Sequence, residues 1–314
     1  MNTDGQSTYR SLCANQAHVP LFSQPLWLDA VMGPSGWSAV VDGPPERPTA
    51  WLPFGCDRRF GFRRLLMPPL TQQFSLGLHL PPDLKAPGRI GLAMDAWAAL
   101  AARLPPYDLL DLNLHFDAPP PLPLAARGIE LLARWGYVLP LGADPEAVWA
   151  GAHERARRAV RKAQRLLTVE VAGDAADLAR LVELSFGRQG LRVRWGAELL
   201  ARVVQALGAA GQGRVLVART AAGQVAAALL LAWDDHTAYV PASGFDPSLA
   251  ELNGPSLLYW HAIETACVEL SCEAFDFVGS MHPRIEPARR VWGGELRPYV
   301  RLRHIRHPLL RLKR

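Results

Sequence analysis

Short apolar runs divided by Pro and Gly clusters fill the first half of the chain, at residues 37–42, 50–55, 60–67 and 109–116, with one helical pattern over 90–104. This half reads as strands around a single helix. The segment Pro119-Pro120-Pro121-Leu122-Pro123 can continue neither a central strand nor a helix interior, so it reads as a stiff surface connection. At Asp144-Pro145-Glu146 the pattern changes to that of a helix start, with an N-cap, a Pro at the first turn and a favourably placed carboxylate. Trp149, Ala152, Ala156, Ala159, Val160, Ala163 and Leu167 then recur at helical spacing. They predict one amphipathic helix with Arg155, Arg158, Lys162 and Arg165 on its other face.

Beyond it the pattern predicts a strand (168–172), helices over 175–186 and 197–207, and an antiparallel meander of three strands (214–219, 225–233, 237–242). A helix over 256–270 opened by Gly254-Pro255, a strand at 274–278, a helical turn at 285–291 and a last strand at 296–302 complete the order. The domain boundary is placed at 143/144, giving domains 1–143 and 144–314. Arg134 to Pro140 echoes Arg290 to Pro298, each following a strand that carries an aspartate (Asp111, Asp276). A duplicated domain would leave such an echo, and so would chance in a chain rich in Trp, Gly and Pro.

Half of the 314 residues are apolar, enough for two cores, and the N-terminal apolar runs are too short and too interrupted for a signal peptide or a membrane span. A cytoplasmic protein is expected. Four scattered cysteines have no spacing suited to zinc or a disulfide frame. The net charge of +5 is compatible with a polyanionic partner and equally with a biased composition. No nucleophile elbow, P-loop, His-Glu-x-x-His or dinucleotide fingerprint is present, which leaves hydrolase, kinase, metalloprotease and dehydrogenase readings without support.

The element order of the second half resembles the GNAT acyltransferase fold. Arg157 to Ala163, Gly244-Phe245-Asp246-Pro247, Phe275 to Ser280 and Trp292-Gly293-Gly294 before Pro298-Tyr299 are similar to the Fem-type branch of that superfamily. In the first half Pro68 to Gln72 and the Asp111 strand resemble its companion lobe. The resemblance implies an α/β (α+β) chain of two tandem GNAT-like domains, each a mixed, mostly antiparallel sheet flanked by helices. It implies no metal and no bound cofactor, the acyl donor entering as a co-substrate, either aminoacyl-tRNA or acyl-CoA.

GNAT enzymes that use acyl-CoA carry a Gln/Arg-x-x-Gly-x-Gly/Ala turn whose amides receive pyrophosphate. Here Glu251-Leu252-Asn253-Gly254-Pro255-Ser256 stands at that place, with a repulsive carboxylate and a Pro that lacks an N–H. The departure argues for the tRNA donor of some Fem-type enzymes. Arg155, Arg158, Lys162 and Arg165, with a tail containing Arg301, Arg303, Arg306, Arg311, Lys313 and Arg314, would then contact phosphates; solvated basic faces are the ordinary alternative. On the donor side Asn253, Gly254 and Ser256 are candidates, with helix capping as the alternative for Asn253 and Ser256.

Transfer to an amine needs a route for its proton, donors for an oxyanion and a proton for the leaving atom. By the resemblance the reacting wedge lies between Tyr239 to Ser243 and Asp276 to Ser280. Asp276, between Phe275 and Phe277, points to the opposite face and could take a proton or orient the amine, or bond backbone or an Arg. His282 is a candidate proton carrier and Tyr299 a candidate donor to the leaving group. Tyr239, Ser243, Ser280 and Arg188, with Arg192 or Arg194 nearby, are candidate substrate contacts, and an acidic acceptor would suit the arginines. In the first half Thr71, Gln72, Asn113 and His115 form a polar group that would contact the acceptor or serve as a structural network.

The expected function is N-acyl or N-aminoacyl transfer to an amine-bearing small molecule or peptide. A conventional acyl-CoA enzyme and a catalytically silent RNA- or protein-binding domain are the alternatives.

Overall fold

In the computed structural model, the described residues are 3–15, 18–44, 46–142, 144–188, 190, 192–193, 195–279, 281–283 and 285–311. The chain divides into two compact units, Met1–Arg134 with Pro298–Arg314, and Trp135–Arg297. The sequence division at 143/144 differs from this: residues 135–143 go with the second unit and the C-terminal segment from 298 goes with the first.

The first unit holds helices α1 (Thr3–Asn15) and α2 (Pro25–Met32), strands β1 (Trp37–Asp42), β2 (Ala50–Arg59), β3 (Phe62–Leu66) and β4 (Gly77–Leu78), helix α3 (Ala86–Arg103), strand β5 (Leu109–Asn113) and short helix α4 (Leu122–Ala125). Three helices longer than a turn therefore stand where the hydrophobic pattern predicts one. The reason is that α1 is mostly polar and anchors through specific bonds: Tyr9 is buried with its hydroxyl on Ser23 O at 2.8 Å, and Arg10 makes a bidentate pair with Asp29. Strands β1, β2 and β3 pair antiparallel in sequence, β4 adds to β2, and β5 joins β3 in parallel.

Strand β6 (Glu130–Pro140), which carries the segment with the internal echo but has no alternating pattern, opens the second unit with its residues from Trp135 onward. The single basic helix of the sequence reading is two helices, α5 (Pro145–Gly151) and α6 (Glu154–Ala163), interrupted where Ala152 turns extended and His153 caps α6 by accepting from Arg155 N. Then follow β7 (Leu167–Ala172), α7 (Ala176–Gly187), α8 (Ala197–Ala209), β8 (Gly213–Thr220), β9 (Val225–Trp233), β10 (Thr237–Phe245), α9 (Gly254–Val268), β11 (Ala274–Asp276) and α10 (Glu286–Arg290). Strand β12 (Glu295–Ile305) leaves this unit and pairs antiparallel with β5 in the first, and α11 (Pro308–Arg311) ends the described chain.

The sheet of the second unit runs β6-β11-β10-β9-β8-β7, antiparallel except for the β11/β10 pair. Val225 to Ala232 of β9 are all buried because helices cover both faces. Gly244 shows one side: a Cβ there would lie 2.3 Å from Leu181 C in α7. Its neighbour Ser243 points the other way, to Tyr259 of α9. No helix among the described residues is long and apolar enough to cross a membrane.

Candidate active site

The parallel pairing of β10 with β11 runs from Thr237↔Ala274 to Tyr239↔Asp276, and β10 continues beyond it to Phe245. At the point of divergence β10 carries one extra residue. Val240 and Pro241 stand between positions paired with Ala232 and Leu230, a bulge at which Pro, having no N–H, is tolerated. Just past the end of β11 the chain turns at Val278 (φ 48) and Gly279 (φ 73), a left-handed pair that is strained for a β-branched residue. The Val278 amide donates to Asp276 Oδ1 at 2.8 Å. This turn fixes the carboxyl at the mouth of the wedge.

Asp276 is buried, and desolvation lifts its carboxyl to about 7 against the opposing pull of the Val278 amide and of the positive charges of Arg289 and Arg297. Tyr239, its ladder partner, is also buried and donates its hydroxyl to Asp234 Oδ2 at 2.9 Å. Asp234 in turn accepts from the amides of His236 and Thr237, so Tyr239 braces the β9–β10 turn.

Within the second unit, a cavity of about 370 Å³ lies along β10 where it outruns β11. It is lined by Ser243 to Phe245, by Ser185, Phe186 and Arg188 at the end of α7, by Pro255, Leu258 and Tyr259 from the start of α9, and by Arg289 of α10. Ser243 Oγ and Tyr259 OH lie 3.2 Å apart. Arg289 is 9% exposed, with its guanidinium carbon 4.4 Å from the Tyr259 ring centre. Arg188 is exposed and lies 5.4 Å over Phe245. The volume suits a small organic molecule or one group of a larger one.

Two of the expected substrate contacts, Ser243 and Arg188, thus meet in this cavity. His282 is exposed, and its carbonyl accepts from the Ile285 and Glu286 amides. Ser280 and Arg194 lie outside the described residues. Tyr299 lies in the first unit, buried, accepting from Gln72 Nε2 at 3.1 Å and packed edge-on to Phe116. Asn113 donates to Gln72 O at 3.0 Å, while Thr71 accepts from Trp27 Nε1 at 2.8 Å. Tyr299, Gln72 and Asn113 therefore form one hydrogen-bonded group, and Thr71 holds Trp27.

On the donor side, Asn253 takes a left-handed conformation and its side chain donates to Glu251 O at 3.0 Å instead of capping α9. Lys162 Nζ reaches the same carbonyl at 2.8 Å. Ser256 and Leu257 donate their amides to Asn253 O, and Pro255 has no N–H. Of the four residues 254–257, one amide is left for an external anion. Gly254 itself is required by packing, since a Cβ would come 2.9 Å from Ala227 Cβ.

Arg155, Arg158, Lys162 and Arg165 are exposed on α6 and just past its end, with Arg158 3.7 Å from Glu154. The expected basic tail is partly spent. Arg301 makes a bidentate pair with Asp111, Arg306 lies over Tyr107 and Arg311 donates to Ile305 O, while Lys313 and Arg314 lie outside the described residues.

Tyr259 and Arg289 were not singled out in the sequence. Tyr259 sits in an apolar helical run and Arg289 in an Arg-rich stretch, so neither stands out by pattern. The motif glycines have structural duties as well: Gly293 (φ 81) passes so near α5 that a Cβ would lie 2.9 Å from Gly151 O.

Residues 150–283 match the family model of an acetyltransferase (GNAT) domain. No curated protein matches the sequence. Among solved structures the chain is similar to FemX, with 14% identity, 98% of each chain covered and a TM-score of 0.68. It is similar also to a tandem GNAT protein from the clavulanic acid biosynthesis pathway (16% identity, 96% of this chain and 93% of that one, TM-score 0.51). L-PGS from Bacillus licheniformis gives 8% identity, 96% and 92% coverage and a TM-score of 0.52. Residues 150–283 therefore match a GNAT domain, and the chain shares the fold of FemX and of a tandem GNAT protein over nearly its whole length.

Proposed function

We propose that this protein is an N-acyltransferase that moves an activated acyl or aminoacyl group to an amine, with aminoacyl-tRNA as donor and Asp276 as the proton acceptor. The observation that carries the reading is the buried Asp276 carboxyl, held by the Val278 amide where β10 and β11 diverge in a GNAT domain and acted on by the charge of Arg289, which lines a cavity of substrate size. A carboxyl lifted to about 7 exchanges its proton at neutral pH, as a general base for an ammonium group must. In the reaction the ammonium proton passes to Asp276, the freed amine nitrogen bonds to the acyl carbon, the carbon–oxygen bond of the ester (or carbon–sulfur bond of a thioester) breaks, and the leaving atom takes the second proton lost by the nitrogen. The Ser243–Tyr259 hydroxyl pair lies on the cavity wall, where it can hydrogen-bond the reacting groups.

The donor assignment is supported by the turn at 251–256. Its carbonyl side is filled by Lys162 and Asn253 and most of its amides are turned inward, which is a poor receptor for pyrophosphate. The exposed cations of α6 offer phosphate contacts instead. The test is to supply the purified protein with a mixed amine pool and either charged tRNA or acetyl-CoA, and to follow amide formation by mass spectrometry. Amide product with charged tRNA alone supports the reading. Product with acetyl-CoA alone overturns the donor, and no product with either overturns the transferase assignment.

A further inference from the structure

Arg289 is more than nine-tenths buried, its Nε is enclosed without a hydrogen-bond partner, and its guanidinium makes no hydrogen bond or ion pair among the described residues. It packs on the Tyr259 ring at 4.4 Å and within 5.9 Å of Phe277, contacts that hold it in place but accept none of its N–H groups. Asp276 acts on it electrostatically with no ion pair formed, and its Oδ1 already accepts from Val278. A buried cation left this way is costly, and proteins normally pair it. The open side of Arg289 faces the cavity in the second unit.

We propose that this cavity holds the carboxylate of the acceptor, an amino acid or the C-terminal residue of a short peptide, against Arg289. This rests on the transferase reading and names its substrate class. A carboxylate matches the planar donor fork and brings one negative charge to one buried positive charge. A phosphate monoester would bring close to two negative charges to a lining whose one buried cation among the described residues is Arg289. Phe186, Ala228, Leu229 and Leu258 provide an apolar wall for an aliphatic side chain, and the exposed Arg188 at α7's end adds a second positive charge on the same lining.

The experiment measures binding by calorimetry to the full chain, with each proteinogenic L-amino acid, its α-carboxamide, dialanine and inorganic phosphate as probes. At least one amino acid or the dipeptide should bind about tenfold or more tightly than its amide, with the difference abolished in Arg289→Met and reduced in Arg289→Lys. A free amino acid that binds while dialanine does not assigns the pocket to amino acids, and the reverse assigns it to peptide ends. Equal binding of acid and amide, no binding of either, binding of phosphate alone, or retention of the preference in Arg289→Met would overturn the proposal. The acid–amide comparison is made on the unaltered protein, so it decides the question even if a variant fails to fold. Transfer to neutral amines with no carboxylate preference would sink this inference and leave the transferase standing; a carboxylate preference without any transfer would do the opposite.

Discussion

At the scale of single residues, Asp276 links stability to function. Its carboxyl is raised in the folded chain to about 7 from 3.8, so between these values the folded state binds the extra proton. Stability from this group is therefore fully present below pH ~4 and falls as pH rises towards 7, the reverse of a salt-bridged aspartate, by roughly 4 kcal/mol at most. Asp276→Asn keeps an acceptor for the Val278 amide and removes the ionisation. We expect the variant to be more stable than the parent at pH 8, to lose much of the slope between pH 5 and 7 in urea melts, and to lose about 10²-fold or more in turnover. The parent's kcat/KM should rise through an apparent pKa near 7. An unchanged turnover in Asp276→Asn would remove the carboxyl from the chemistry. Asp276 could be picked out from the sequence because strand alternation between two phenylalanines fixes its face. Arg289 and Tyr259 could not, because what distinguishes them is burial and the lack of a partner, which arise only when α9, α10 and β11 meet.

Among the elements, those built on strong periodicity were legible: the β8–β9–β10 meander, α7 with Asp174 accepting from Ala176 N, and the start of α5 at Asp144. Elements held by particular bonds were not, as α1 shows, nor was the break between α5 and α6, where a continuous apolar stripe conceals an extended Ala152. Gly244 illustrates how a motif position can serve packing. Its Cα meets α7 so closely that Gly244→Ala would place Cβ 2.3 Å from Leu181 C and 2.4 Å from Val182 N, both backbone atoms that cannot rotate away. We expect a loss of about 1–3 kcal/mol or more in chemical denaturation. Gly208→Ala in α8, where a Cβ meets nothing within 4 Å, is the control and should gain about 0.5–1 kcal/mol. Equal effects would mean that α7 moves off the strand at little cost.

For the molecule as a whole, the division of the chain was partly hidden from the sequence because β12, read as the last strand of the second domain, ends in the first unit beside β5. Its cations change meaning accordingly. Arg301 belongs to Asp111 and Arg311 to a carbonyl, so a surface count of basic residues overstates what is open to a polyanion. On α6 and just past it, Arg155 and Arg165 are exposed and have no ion pair among the described residues, whereas Arg158 faces Glu154 and Lys162 is tied to Glu251 O. If charged tRNA is the donor, these two arginines are the ones that release counterions on binding. Arg155→Ala with Arg165→Ala should then lower the slope of log affinity against log salt by about 1.5–2, near 0.9 for each phosphate contact. Lys162→Met should act differently, by freeing the Glu251 carbonyl and loosening the turn before α9, so that it changes turnover more than the salt slope. A slope that survives the double substitution would place the tRNA elsewhere, and tRNA binding insensitive to salt would end the phosphate account of α6.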